Sequence, residues 1–227
     1  MDLFYHPSLT LLDKQIELDA EESKHLTKVL RKKRGDKLMI TNGKGLRAPA
    51  TIIEIASKKV TVDLEEITEI APLAYRLHIG IAPPKNISRF EWFLEKATEI
   101  GITEITPLLC DHSERKNIKL ERAEKIVLAA LKQSQQSHLP TVHPMTSFAD
   151  FVAAHPQAWM AHCAEGEKKP LFDLAKEQKN ITLLIGPEGD FSAEEMKSIA
   201  LAVSLGEQRL RTETAAIVAC QTIALAQ

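Results

Sequence analysis

The stretch Leu183-Leu184-Ile185-Gly186-Pro187-Glu188-Gly189-Asp190-Phe191-Ser192 decides the fold class. An apolar run enters a turn that combines one rigid Pro with two Gly, and Ser192 with Glu195 then opens a helix as a capping box. Strand, tight loop and helix are the repeating unit of an α/β sheet. Glycine lets backbone approach a ligand closely, and N–H groups at a strand–helix junction bind polar ligand atoms. The turn lacks the Lys-Ser/Thr pair of a phosphate loop and the G-x-G-x-x-G spacing of a dinucleotide fold. Toward the C-terminus the pattern returns. Residues 202–205 read as a short strand before Gly206. Leu210-Arg211-Thr212-Glu213-Thr214-Ala215 then enters an alanine-rich helix running from about residue 214, with Thr212 as its cap. Two glycine-ended strands in succession can line one small-molecule site at the carboxyl edge of a sheet.

Toward the N-terminus, residues 77–81 form a buried strand. Ser88 with Glu91 is a second capping box, and Phe90, Phe93, Leu94, Ala97 and Ile100 give a helical face that stops at Gly101. Strands at 102–109 and 159–163 and a helix over roughly 121–137 complete an α/β domain with a mostly parallel sheet. Ahead of Ala71-Pro72 the period changes to two. Strands are expected at 37–40, 50–55 and 60–64, joined by a hairpin turn at Asn42-Gly43-Lys44-Gly45 and a turn at Ser57-Lys58. Asp19, with Glu22 at the third position, caps an early helix whose apolar stripe is Leu26, Val29 and Leu30, and Gly35-Asp36 ends it. The chain is thus read as a small β-barrel over residues 1–72 and an α/β domain over 73–227.

The 227 residues carry a formal charge of −2, with 44% hydrophobic and 26% charged side chains, which excludes a disordered or collagen-like chain. No apolar run approaches the roughly 18 residues of a membrane span. The first residues have no secretory pattern, so a cytoplasmic protein is expected. Cys110, Cys163 and Cys220 are far apart and lack metal spacing, which predicts reduced thiols and no metal. The near-neutral total conceals a basic window. From Ser23 to Arg47 nine Lys and Arg face the single Asp36, a local charge of +8 (9 − 1). Closely spaced cations such as Arg31, Lys32, Lys33 and Arg34 track a phosphate backbone without reading bases. Aromatic residues are only 5%, which argues against an extended base-stacking platform.

These pieces, in this order, resemble the RsmE family of 16S ribosomal RNA uracil-N3 methyltransferases in the SPOUT superfamily. The likeness rests on His25-Leu26, Val29-Leu30-Arg31 and Gly35-Asp36, then Lys85, Arg89 and Glu91, and Lys96-Ala97-Thr98-Glu99-Ile100-Gly101. It continues through Pro107-Leu108, Gln133-Ser134, Gly186-Pro187-Glu188-Gly189, Leu205-Gly206 and the 210–215 segment. The resemblance implies a PUA-like barrel that helps hold RNA, a SPOUT domain with a deep trefoil knot (an exception to unthreaded topology), and a homodimer acting on the small ribosomal subunit. It places S-adenosylmethionine against His162, Ile185, Gly186, Pro187, Glu188, Gly189, Leu205, Gly206, Leu210, Arg211, Thr212, Thr214 and Ala215. RNA falls to His25, Arg31, Lys32, Lys33, Arg34, Lys85 and Arg89. Three departures stand out. Asp2-Leu3 precedes Phe4 where many members have a basic residue just before the initial Phe. Gln135 and Gln136 follow the Gln-Ser pair where many members have Arg, and Asp190 stands where Gly is commoner.

Methylating a uracil nitrogen requires loss of the N3 proton, so a base or a stabiliser of the uracil anion is needed. A guanidinium donates to a delocalised oxygen anion without losing its own charge, which selects Arg211. Glu213 is expected to orient Arg211 or to serve as the base. The competing reading is a non-catalytic RNA-binding or ribosome assembly factor on the same fold, which an intact cofactor loop disfavours.

Overall fold

Period-two alternation builds the first sheet. Its strands are β1 (Leu3–Tyr5), β2 (Gln15–Leu18), β3 (Lys37–Thr41), β4 (Leu46–Ile55), β5 (Val60–Leu64) and β6 (Thr68–Glu69), ordered β1-β3-β4-β5-β2 with β6 beside β4. The computed structural model describes residues 1–56 and 59–227, so the Ser57-Lys58 turn lies outside the described residues. Inward residues of alternate register, among them Leu38, Ile40, Ile52, Val60 and Val62, close on Phe4 and Leu26 to form the core of this unit. The β3–β4 turn has the expected chemistry. Asn42 Oδ1 accepts from the N–H groups of Lys44 and Leu46 at 2.8 and 3.0 Å, and Gly43 and Gly45 adopt φ of 68° and 103°.

The early helix departs from expectation. Asp19 caps α1 (Ala20–Lys24) through a 2.8 Å bond from the Glu22 N–H, but the chain then widens into a π-turn over His25–Val29. The Leu30 N–H reaches back five residues to the His25 carbonyl at 3.1 Å. That extra residue rotates the stripe. Leu26 stays fully buried while Val29 turns outward and is 65% exposed.

Contacts divide the chain into two units, Met1–Pro72 with Leu131–Leu139, and Leu73–Ala130 with Pro140–Gln227. The return of 131–139 to the first unit departs from the division at residue 72 read from the sequence. It supplies Lys132, whose ammonium lies 2.7 Å from the buried Glu22 carboxylate. It also supplies Gln135, whose carbonyl and side-chain oxygens accept from the Arg47 guanidinium at 2.9 and 3.1 Å. Gln135 itself is left-handed (φ 60°), which helps end the preceding helix at Gln133 rather than 137.

The second unit alternates strand and helix: β7 (Arg76–Ile81), α2 (Ile87–Ile100), β8 (Glu104–Leu109), α3 (Leu120–Gln133, its last turn in the first unit), β9 (Thr141–Val142), β10 (Thr146–Ser147), α4 (Phe148–Ala154), β11 (Trp159–Ala161), β12 (Lys169–Pro170), α5 (Leu171–Glu177), β13 (Asn180–Ile185), α6 (Ala193–Lys197), β14 (Leu201–Ser204) and α7 (Thr212–Ala226). The sheet order is β10-β8-β7-β13-β11-β14-β12 with β9 on β8, and these pairings are parallel. A parallel sheet needs both faces covered. Gly80 on β7 shows how tightly one face is closed. A Cβ there would sit 2.9 Å from the Phe151 ring of α4 and 3.0 Å from Leu108.

Two helix starts, those of α2 and α7, differ in detail from the sequence reading, and a third does not. The cap of α2 is Asn86, whose side chain accepts from Ser88 N–H at 3.0 Å, and Glu91 instead holds Arg122. The Ser192–Glu195 capping box of α6 is present as expected. Helix α7 starts earlier than expected, at Thr212. Arg211 is its N-cap without a side-chain cap bond, and Thr212 Oγ1 donates to the Gly186 carbonyl at 3.0 Å. No helix among the described residues is long and apolar enough to cross a membrane.

Candidate active site

The carboxyl ends of β13, β11 and β14 lie side by side, and the loops leaving them enclose a cavity of about 600 Å³. This is the crevice at which open α/β sheets bind ligands. From β13 come Ile185, Gly186, Pro187, Glu188 and Asp190. The end of β11 gives Ala161, His162 and Cys163, and β14 runs on into Leu205 and Gly206. Leu210, Arg211, Thr212 and Ala215 close the wall at the start of α7.

Each loop is held by a specific bond. Glu188 Oε1 accepts the Lys85 N–H at 3.0 Å, tying the β13 loop to the loop after β7. Thr212 ties the same loop to α7 through Gly186. Asp190 adopts φ 64°, the left-handed conformation that explains why glycine suits this place. Its carboxylate compensates, accepting from Cys163 N–H at 2.8 Å and Phe191 N–H at 2.9 Å. The first bond fixes the end of β11 to the glycine-containing loop.

His162 contributes a buried Nδ1 with no protein partner among the described residues. Burial pushes its pKa below the ordinary 6.5 and Lys168 adds to the shift, against an opposing pull from Asp190. The ring is therefore neutral at pH 7, with hydrogen-bonding capacity to spare. Arg211 is exposed at the cavity wall, and its guanidinium has no ion-pair partner among the described residues. The expected Arg211–Glu213 pairing is not formed. Glu213 is buried in the first turn of α7, which packs on α2, and its carboxylate faces Arg89 at 3.6 Å.

Two family models match the chain: an RNA methyltransferase domain over residues 71–224 and an RNA methyltransferase PUA domain over residues 18–65. Over 230 residues the chain is 33% identical to Ribosomal RNA small subunit methyltransferase E of Synechocystis sp., covering 96% of this chain and 73% of that protein. The chain belongs to the RsmE family of RNA methyltransferases. Among solved structures, a probable rRNA-methyltransferase from Porphyromonas gingivalis superposes with a TM-score of 0.89 at 35% identity, covering 100% of this chain and 98% of that one. A Legionella pneumophila protein assigned as a methyltransferase, solved in complex with the bound cofactor SAM, gives 0.89 at 28% identity over 99% of this chain and 97% of its own.

Most of the cofactor residues expected of an RsmE member line the cavity. Gly189 and Thr214 do not. Gly189 turns its carbonyl to His112 Nδ1 at 3.1 Å. Thr214 falls between Thr212 and Ala215, whose three-residue spacing puts those two on the face toward the cavity. Lys168, Glu207, Gln208 and Arg209 also line the cavity, beyond the residues expected from the sequence. The last three sit in the loop joining two recognised segments, which was signal enough. Lys168 carried none.

The residues expected to meet RNA are unequal. Arg31, Lys33 and Arg34 are exposed and their side chains make no ion pair among the described residues, whereas Lys32 is bound to Asp2 at 2.8 Å. His25 is half-buried with its ring 6.0 Å from Phe4. In the second unit Lys85 pairs with Glu114 at 2.7 Å, both exposed and so weakly held, and Arg89 is engaged by Glu213.

Proposed function

We propose that this chain transfers a methyl group from S-adenosylmethionine to N3 of a specific uridine in 16S ribosomal RNA, working as a cytoplasmic homodimer on the small ribosomal subunit. The observation that carries this reading is the unpaired Arg211 guanidinium at the wall of a cavity framed by two glycine-containing strand ends. The cavity suits the cofactor on three counts. Its volume lies within the roughly 300–1,000 Å³ usual for small-molecule sites. Ile185, Leu205 and Leu210 offer apolar surface for an adenine ring, and the buried His162 Nδ1 needs a partner. Gly206, at φ 127° with open space where a Cβ would be, leaves room for close backbone approach. The knotted connection implied by the family is part of this proposal. The placement of β13 between β7 and β11, out of sequence order, agrees with it.

Bound in this cavity, S-adenosylmethionine supplies an electrophilic methyl group on a sulfonium. The protein's own work is to hold the uracil in line and to lower the cost of losing the N3 proton. Arg211 does the latter, donating to the carbonyl oxygen on which the anion's charge accumulates. Glu213 acts on Arg89 rather than on Arg211 and is a positioning residue at the base of α7. His162, neutral at pH 7, has the protonation state of an acceptor. Arg31, Lys33 and Arg34 supply sequence-independent grip on RNA phosphates.

Calorimetric titration with S-adenosylmethionine, combined with mass-spectrometric mapping of methyl groups on small-subunit RNA, tests the proposal. Arg211→Ala is expected to lower turnover by about 10²–10³-fold while leaving cofactor affinity nearly intact. No cofactor binding by the unaltered chain, or equal losses of binding and turnover in the variant, would overturn it.

A further inference from the structure

Away from the cavity, toward the amino-terminal ends of the strands, three side chains from distant parts of the sequence converge. The parallel register of β7 and β8 sets His78 beside Glu104, and a 2.8 Å bond from the His143 N–H to the Ile105 carbonyl brings His143 alongside. Glu104 Oε2 lies 3.0 Å from His143 Nε2 and 4.0 Å from His78 Nδ1, and one ligand atom from each of the three falls within a 4.8 Å span. Glu104 Oε1 is taken by the Arg76 guanidinium, which orients the carboxylate and leaves Oε2 toward the histidines.

The deciding atom is His78 Nδ1. The side chain is 4% exposed, and Nδ1 is buried without a hydrogen-bond partner. The other ring nitrogen, Nε2, is 2.7 Å from Thr106 Oγ1. If Nε2–H donates to that hydroxyl, Nδ1 is a bare lone pair facing a carboxylate oxygen. If the hydroxyl donates instead, the Nδ1–H faces Oε2 at 4.0 Å, too far for a hydrogen bond. Neither tautomer lets the protein satisfy the atom by itself, and a buried unpaired polar group is costly. A cation between the three ligands satisfies it. Zinc binds imidazole nitrogen and carboxylate oxygen at about 2.0–2.2 Å, so neighbouring ligand atoms of a tetrahedral site lie roughly 3.2–3.6 Å apart. The observed 3.0 and 4.0 Å bracket that spacing.

We propose that His78 Nδ1, Glu104 Oε2 and His143 Nε2 form a binding site for a zinc-class divalent ion, with water in the fourth position. Thr106 fixes the ligating tautomer of His78, the outer-shell role that metal-bound histidines ordinarily require. The Phe151 and His155 rings pack against His78 with centroids 5.1 and 4.9 Å away and hold its plane. The ion's work is structural, joining β7 and β8 to the segment after β9. The half-exposed His143 provides the route by which it enters.

The test uses the full chain, stripped of metal by chelation and titrated with Co(II), whose visible absorption reports nitrogen and oxygen ligation. The expected result is saturable absorption, displaced by Zn(II), together with a zinc-dependent rise in Tm. His143→Ala should weaken Co(II) binding by at least about 10-fold, and Thr106→Val by about 10–100-fold. Cys163→Ser should leave the Co(II) titration unchanged. Circular dichroism checks that each variant is folded, and Thr106→Val decides the matter if His143→Ala is not. Absence of Co(II) absorption in the unaltered protein overturns the proposal, as does titration of the folded variants indistinguishable from it.

Discussion

Asp190 allows a prediction whose magnitude follows from opposing contributions. Its backbone is left-handed, which costs an L-residue roughly 1–2 kcal/mol and glycine nothing; Asp tolerates the region better than most. Its carboxylate accepts from the Cys163 and Phe191 N–H groups. At about 0.5–1.5 kcal/mol net for each hydrogen bond, and with Cys163 exposed, the pair contributes about 1–2 kcal/mol. Asp190→Gly loses these bonds but relieves the backbone, for a net cost of about 0.5–1 kcal/mol. Asp190→Ala loses the bonds and keeps the full strain, costing about 2–3 kcal/mol. Asp190→Asn keeps one acceptor oxygen and the tolerance for left-handed backbone, so it should lie within about 0.5 kcal/mol of the parent. Urea denaturation of the four proteins gives the ranking, and S-adenosylmethionine affinity should fall in the same order because the Cys163 bond holds one wall of the cavity. A glycine variant more stable than the parent would refute the reasoning, since the carboxylate bonds would then contribute nothing.

At Gly80, substitution by Ala should destabilise by about 1–3 kcal/mol through overpacking against Phe151, seen in urea melts and partly reversed by Phe151→Leu. Because burial lowers the folded-state pKa of His162, its stabilising contribution is complete above the ordinary 6.5 and is lost as pH falls below it toward the depressed value. Tm should therefore drop more steeply below that pH in the parent than in His162→Gln. Replacing Arg31, Lys33 and Arg34 together by Ala should weaken RNA binding in anisotropy titrations and flatten the salt dependence by about 0.7 per lost phosphate contact. Lys32→Ala, already bound to Asp2, should do less.

The strand–loop–helix at 183–192 was legible because apolar run, glycine turn and capping box all point the same way, and the site follows from it. Other parts were hidden for physical reasons. Strands β9, β10 and β12 have two residues each, too few to show a period, and β12 even begins the Lys169-Pro170 step into α5. The π-turn cannot be read from an apolar stripe, since Val29 satisfies a helical pattern that the widened turn then rotates to solvent. The sequence leaves Glu213 either to orient Arg211 or to serve as the base, and it does not show which side chain the carboxylate meets. Helix geometry sends a first-turn side chain toward whatever packs on that face, and that is Arg89 of α2. The cluster of His78, Glu104 and His143 has no sequence signature at all, because strand register alone assembles it.

The return of Leu131–Leu139 to the first unit bears on the order of events during synthesis. When Pro72 leaves the ribosome every strand of that unit exists, yet Glu22 lacks its lysine and Arg47 its carbonyl. Another 67 residues (139 − 72) must be made first. At roughly 5–20 residues per second this is a wait of about 3–13 s. During that interval the Glu22 carboxylate is without its counter-charge. The usual rule that the N-terminal domain finishes first thus gives way to joint completion, with the end of α3 as the last piece of a module begun at residue 1.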